Sequence, residues 1–199
     1  MNWYTMIIGY ENRVANYFKA DDEELFGRDS VDLKYGNRID DWNPASLLKS
    51  ESAEFDGAPD DVLANSLRWP VFSNRLRRAL AASSIGVGDI QYLPIRVARS
   101  TGEELDGFEV ANVVARLPAL DRERTRKLHE DEDEMDPLTG RPAVMGFWKA
   151  ALRAEVLEEH DVIRLLEFFP PIFVSQRFVD IFQSFEFTGV TFSPVIGPV

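Results

Sequence analysis

The order of apolar and polar residues along the chain predicts several short strands and two helices. Alternation with a period of two places every second side chain on the same face and is typical of β-strands. Segments with this alternation, or with a short apolar run, lie near residues 3–8, 90–97, 108–115, 162–166, 172–174 and 190–195. A period of 3.6 predicts amphipathic helices that begin after Ser73 and Ser175. We therefore predict an α+β fold in a single compact domain, with both helices packed on a mixed or antiparallel sheet.

Each predicted helix begins at a serine that is followed two residues later by an arginine. Ser73 and Ser175 are expected to act as N-caps, each of which contributes about 1 kcal/mol to helix stability. Arg75 and Arg177 lie in the first turn, where the helix dipole disfavours a cation. We expect each arginine to be held by a carboxylate or by backbone carbonyls. The alternative is an anion-binding site, because a helix N-terminus with an arginine suits phosphate or carboxylate.

The two serine–arginine units belong to a longer internal similarity. Residues 71–76 and 173–178 share the order apolar, apolar, Ser, polar, Arg, apolar, at an offset of 102 residues. The predicted strands that follow, 90–95 and 190–195, resemble each other at an offset of 100. An internal duplication would produce this pattern, and so would convergence on a common supersecondary unit.

Composition narrows the classes of function. The 199 residues carry a formal net charge of −12 and include no cysteine, which excludes disulfide scaffolds, thiol catalysis and cysteine-based metal sites. Neither histidine, His129 or His160, has the spacing of a metal ligand. No apolar run approaches the roughly 20 residues that span a bilayer, and the N-terminus lacks the features of a signal peptide. We expect a cytoplasmic protein without metal or cofactor.

The acidic charge also bears on partners, and it is unevenly distributed. Residues 21–61 hold thirteen acids and four bases, whereas residues 67–101 hold six arginines and one aspartate. A net charge of −12 disfavours direct binding of nucleic acid, because the phosphates would be repelled. It favours solubility and the capture of a basic partner. Residues 1–66 are therefore interpreted as an acidic, turn-rich part that packs on the core.

No motif in the chain predicts catalysis. The glycines at 86 and 88 lack the third glycine and the lysine of phosphate-binding loops. Ser73 and Ser175 do not lie in the strand–turn–helix motif of a nucleophilic serine. We therefore predict that the protein is not an enzyme.

A series of motifs resembles a known family. In order, they are residues 69–77 (WPVFSNRLR), 92–95 (YLPI), 112–114 (NVV), 119–125 (ALDRERT), 160–165 (HDVIRL), 174–177 (VSQR) and 188–195 (TGVTFSPV). Their order and spacing resemble a bacterial immunity-protein family of polymorphic-toxin and type VI secretion loci, formerly a domain of unknown function. The resemblance covers residues 67–195. It implies an immunity-family core at 67–199, with an acidic insertion at 129–142.

The resemblance also implies a function: a cytoplasmic protein that binds and neutralises a cognate toxin, often a nuclease-like one, without catalysis. Acidic residues in segments of loop character are the predicted partner-binding residues, because acidic surface accelerates association with a basic partner. They are Asp21, Asp22, Glu23 and Glu24, and Glu130, Asp131, Glu132, Asp133, Glu134 and Asp136. Two alternatives remain open. One is a binding or scaffold protein unrelated to toxins, and the other is an enzyme that acts on an anionic substrate at Arg75 and Arg177.

Overall fold

Strands dominate the structure, a computed structural model in which residues 1–9, 17–20, 32–42, 47–50 and 58–197 are described. The strands of these residues are β1 (Trp3–Ile8), β2 (Tyr17–Ala20), β3 (Leu47–Ser50), β4 (Val62–Asn65), β5 (Val71–Ser73), β6 (Ile90–Pro94), β7 (Arg96–Ala98), β8 (Phe108–Val113), β9 (Arg116–Leu117), β10 (His129–Met135), β11 (Pro142–Gly146), β12 (Val162–Leu165), β13 (Ile172–Ser175) and β14 (Val190–Pro194). The helices are α1 (Asn74–Ala82) and α2 (Gln176–Ser184), with a 3₁₀ helix at Ala154–Val156 and a helical turn at 32–35. The predicted α+β class is confirmed.

The strands of the described ranges form two large sheets and one separate hairpin. One sheet has five strands in the order β14-β1-β13-β12-β9, and the other has seven in the order β6-β8-β5-β4-β2-β3-β7. Both sheets are mixed. In the five-stranded sheet β12 pairs in parallel with β9, and in the seven-stranded sheet β2 pairs in parallel with β4 and β3 with β7. The hairpin consists of β10 and β11.

The five-stranded sheet matches five consecutive strands of the larger sheet. In both, three antiparallel pairs are followed by one parallel pair: β6-β8-β5-β4-β2 corresponds to β14-β1-β13-β12-β9. The register agrees as well, since Pro94 lies opposite Glu109 and Pro194 lies opposite Tyr4. The position of β8 is taken in the five-stranded sheet by β1. The N-terminal strand therefore completes the sheet that the C-terminal half of the chain builds.

Residues on both sides of position 66 share the two sheets. β1 pairs with β13 and β14, and β4 pairs with β5. Residues 1–66 thus supply one strand to the five-stranded sheet and three strands, β2, β3 and β4, to the seven-stranded sheet.

The main hydrophobic core joins the two halves. Leu76 and Leu80 of α1 and Phe178 and Phe182 of α2 are buried in one cluster with residues of both sheets. These side chains recur at intervals of four, which places them on one face of each helix. Two further clusters cover the outer faces of the sheets, one around Trp69 on the seven-stranded sheet and one around Phe173 on the five-stranded sheet. Of the helices in the described ranges, none is long and apolar enough to cross a membrane.

Candidate functional site

The densest run of acidic residues lies on the β10–β11 hairpin, outside both large sheets. Its residues were predicted to have loop character, and this is wrong for 130–134, which belong to β10. Acidic side chains are depleted in strands chiefly because strands are usually half buried. β10 is almost entirely exposed, so its carboxylates stay hydrated and oppose pairing with β11 little.

A salt bridge and a buried valine anchor this hairpin to the body of the protein. Arg122 donates to the Glu130 carboxylate of β10 and, at 2.9 Å, to the backbone oxygen of Pro142 at the start of β11. Val144 of β11 is buried in the cluster around Phe173 on the five-stranded sheet. The anchor therefore fixes both strands, and it engages Glu130 within the molecule.

At the turn of the hairpin, Asp136 has a structural role. Its carboxylate accepts hydrogen bonds from the Leu138 N–H at 2.8 Å and from the Thr139 hydroxyl at 3.0 Å. Gly140 completes the turn with a φ of +63°, a conformation that glycine adopts at little cost. Of the predicted acids, Asp136 is thus engaged in the turn.

The remaining acids of β10 differ in whether their carboxylates make contacts within the protein. Asp131 accepts a hydrogen bond from the Asp133 N–H. The carboxylates of Glu132, Asp133 and Glu134 are exposed and make no hydrogen bond or ion pair within the part of the chain that the structure describes. These three carboxylates are available to a partner. The other predicted patch, Asp21 to Glu24, lies outside the described residues.

Large apolar side chains of the hairpin, and of the residues that directly follow it, are also exposed, and the sequence prediction missed them. Met135, Leu138, Met145 and Trp148 have between 55% and 76% of their surface exposed. The ammonium group of Lys127 lies 5.2 Å from the centre of the Trp148 ring. The signal in the sequence was a set of large apolar residues inside and directly after the acidic segment. We name Glu132, Asp133, Glu134, Met135, Leu138, Met145 and Trp148 the hairpin surface.

The first serine–arginine unit is built around Asp61. Ser73 accepts a hydrogen bond from the Leu76 N–H and donates its hydroxyl to Asp61 at 2.7 Å. Arg75 binds the same carboxylate through two nitrogens, at 2.7 and 3.2 Å. Its third contact, at 3.2 Å, is the backbone oxygen of Phe185 at the C-terminal end of α2.

The second unit has the same contacts around Asp161. Ser175 accepts a hydrogen bond from the Phe178 N–H and donates to the Asp161 carboxylate at 2.6 Å. Arg177 donates to this carboxylate at 3.0 Å and to the backbone oxygen of Ser83 at 3.1 Å. Ser83 is the C-terminal cap of α1. The arginine in the first turn of each helix therefore binds the C-terminal end of the other helix.

These contacts bear on the alternative of an anionic substrate at the two arginines. Arg75 and Arg177 each have a carboxylate and a carbonyl as partners, and the helix C-terminus compensates the unfavourable dipole at their own N-terminus. A substrate anion would first have to displace Asp61 or Asp161, both of which are buried. The geometry is that of a link between two helices.

The pKa of Asp61 reflects its partners. Burial raises this pKa, but hydrogen bonds from Arg75, Ser73 and the Thr188 N–H lower it by more, so it lies below the ordinary value of 3.8. Because the folded protein holds the carboxylate in its charged form, Asp61 contributes stability above the pKa of the unfolded chain. That contribution is lost as the pH falls through the lower, native pKa.

We accordingly predict that Asp61→Asn flattens the acid side of the stability profile. The free energy of unfolding, measured by urea denaturation from neutral pH to below pH 4, should fall less steeply for the variant than for the wild type. Asp40→Asn is the control, because the Asp40 side chain is 89% exposed in its ion pair with Arg38 and should leave the profile unchanged. Parallel acid limbs in wild type and Asp61→Asn would contradict the role assigned to this carboxylate.

The described residues contain no group of three or more side chains that could hold a metal ion. His160 contacts the buried Asp89 through Nδ1 at 2.6 Å, but Asp89 also accepts the N–H groups of Asp161 and Val162. This pair ties the segment after α1 to the start of β12. The Asp89 carboxylate thus already accepts hydrogen bonds from backbone N–H groups.

Comparison with known proteins identifies the chain at the level of a family. The sequence matches the family model described as "Immunity protein family (Imm11)" over residues 9–196. The match confirms the resemblance and extends it well beyond residues 67–195, toward the N-terminus. No curated protein sequence matches the chain significantly.

Proposed function

Since the chain belongs to the Imm11 immunity protein family, we propose that it binds a cognate bacterial toxin and neutralises it without any catalysis of its own. The observation that carries this proposal is the family match over residues 9–196. We place the protein in the cytoplasm of a cell that carries a polymorphic-toxin or type VI secretion locus, where the toxin would act.

The proposed toxin is basic and nuclease-like. An enzyme that cleaves nucleic acid needs a positively charged groove for its substrate. A protein with a net charge of −12 complements such a groove, and charge complementarity accelerates diffusional encounter. The same charge disfavours nucleic acid itself as the direct ligand of this chain.

We assign the contact to the hairpin surface. The hairpin surface has both exposed carboxylates and large exposed apolar side chains, so it can combine electrostatic steering with the burial of apolar area. Tryptophan is among the residues most often critical at protein interfaces. The acids Asp21, Asp22, Glu23 and Glu24 are proposed as a second, auxiliary patch.

Co-expression tests the proposal. The product of the gene beside this one is expressed in a sensitive bacterial host, with and without this protein. We expect the toxin to stop growth alone and the protein to restore growth and to co-purify with the toxin. Growth arrest despite well-expressed, folded protein, with no complex on size-exclusion chromatography, would overturn the proposal.

We also propose that the two halves of the chain descend from a duplicated unit. Support comes from the matching strand order and register of the two sheets, and from the equivalent contacts around Asp61 and Asp161. In this proposal the N-terminal strand β1 takes the place that β8 has in the other half, so the repeat is circularly permuted.

A further inference from the structure

Two arginines lie side by side at the edge of the five-stranded sheet. Arg116 of β9 and Arg164 of β12 are direct partners in parallel register, so their side chains leave the same face of the sheet. Like charges opposite each other on neighbouring strands destabilise a sheet. No ion pair joins either arginine to an acid within the described ranges.

Arg164 is the more buried of the two, with 4% of its surface exposed. Its Nη1 atom donates to the backbone oxygens of Phe169, at 2.7 Å, and Pro170, at 3.4 Å. Its Nε atom is buried and has no hydrogen-bond partner among the described residues. Burial, and secondly the charge of Arg116, lower the pKa of Arg164 to about 10. The side chain thus stays charged at neutral pH in a place that disfavours a cation.

Arg116, like Arg164, has a buried Nε atom that lacks a hydrogen-bond acceptor among the described residues. Its Nη1 atom donates to the amide oxygen of Asn37 at 3.2 Å. The same Asn37 side chain donates through its amide N–H to the Asp32 carboxylate at 2.9 Å. The Asn37 side chain therefore links Arg116 to Asp32 through two hydrogen bonds.

The backbone around the pair holds Arg164 in place. Gly36 has a φ of +69°, and a Cβ atom there would lie 2.4 Å from the Val113 oxygen and 3.1 Å from Cδ of Arg164. The segment before Asn37 therefore packs directly on the Arg164 side chain. The Tyr35 and Phe169 rings, with centroids 4.1 Å apart, join this segment to the carbonyl that Arg164 binds.

We propose that Arg116 and Arg164 form a binding site for a small oxyanion, either a phosphate or a carboxylate group. Two guanidinium groups on one face offer several N–H donors to the oxygens of one anion, the arrangement in which arginine binds both groups most strongly. A bound anion would supply the countercharge that the two guanidinium groups lack, through their outer nitrogens, because both Nε atoms are buried. The site is separate from the hairpin surface and does not depend on the proposed toxin.

Thermal unfolding of the isolated protein tests this site with sodium phosphate and sodium acetate as probes, against sodium chloride at matched ionic strength. At about ten times the dissociation constant, the effective anion should raise Tm by about 3–6 °C. A response to phosphate alone assigns a phosphate site, and a response to acetate alone or to both assigns a site that accepts carboxylate.

Arg116→Gln separates a binding site from a structural role. Without phosphate or acetate, the variant should be as stable as the wild type or more stable, because a like-charge pair is removed; with either probe it should lose the rise in Tm. Arg78→Gln, at an exposed position of α1, should keep the rise. No rise in the wild type, or an equal rise in Arg116→Gln, would overturn the proposal, the latter as adventitious ion binding only.

Discussion

Phe178→Ala should lower the free energy of unfolding by about 3–5 kcal/mol, the usual cost of removing a buried phenylalanine ring. The Phe178 side chain is fully buried, and its ring centroid lies between 6.2 and 6.4 Å from those of Phe72, Phe182 and Phe192. Urea denaturation followed by fluorescence and circular dichroism measures the loss.

The same experiment tests whether the seven-stranded and the five-stranded sheet share one hydrophobic core. Phe72 belongs to the larger sheet and Phe192 to the five-stranded sheet, so the cavity opens between them. Both probes should report a single coincident transition in the variant. Phe185→Ala is the control, because this side chain is 51% exposed and its removal should cost less than about 1 kcal/mol. Two separate transitions, or a loss as small as that of the control, would contradict a shared core.

Trp148→Ala should weaken toxin binding about 30-fold or more, which corresponds to about 2 kcal/mol. The Trp148 side chain is 76% exposed, so its truncation should leave the free energy of unfolding nearly unchanged while removing the largest apolar group of the hairpin surface. The effect should appear mainly as faster dissociation, because buried apolar contacts form after encounter. Unchanged affinity for the toxin would remove Trp148 from the interface.

Local signals in the sequence were sufficient for part of the fold. α1 and α2 begin after Ser73 and Ser175 because the cap residue, the apolar period and the preceding short strand all lie within a few residues of each other. The segments predicted as strands at 3–8, 108–115 and 190–195 correspond to β1, β8 and β14, because the pattern of a strand can also be read from a few neighbouring residues. The two-residue strand β9 is too short for any period, and the sequence does not reveal it.

Long-range pairing could not be predicted from one sequence. The first-turn position of Arg75 and Arg177 called for an acid or a carbonyl, but nothing local selected Asp61 and Asp161 among 34 acidic residues. The pairing of β1 with β13 joins residues about 170 positions apart. Such contacts are decided by the packing of the whole core and not by neighbours in the chain.

For the hairpin surface, too, the sequence predicted only part of what the structure shows. The acidic segment was located by composition, yet its strand conformation was missed because charged residues rarely form strands when one face is buried. Its anchoring by Arg122 and the engagement of Asp136 in the turn also depend on contacts across the hairpin. Only the structure distinguishes the carboxylates that are free from those already bound.

Association kinetics with the toxin test the central claim most directly. The double variant Glu132→Gln/Glu134→Gln is compared with Glu158→Gln/Glu159→Gln, which removes the same charge from exposed positions outside the hairpin surface. At low and at high salt, the first variant should associate more slowly than the wild type and with a weaker salt dependence, and the second should resemble the wild type. Equal rates for both variants would contradict the hairpin surface as the toxin-binding site, and no binding by the wild type would contradict toxin neutralisation itself.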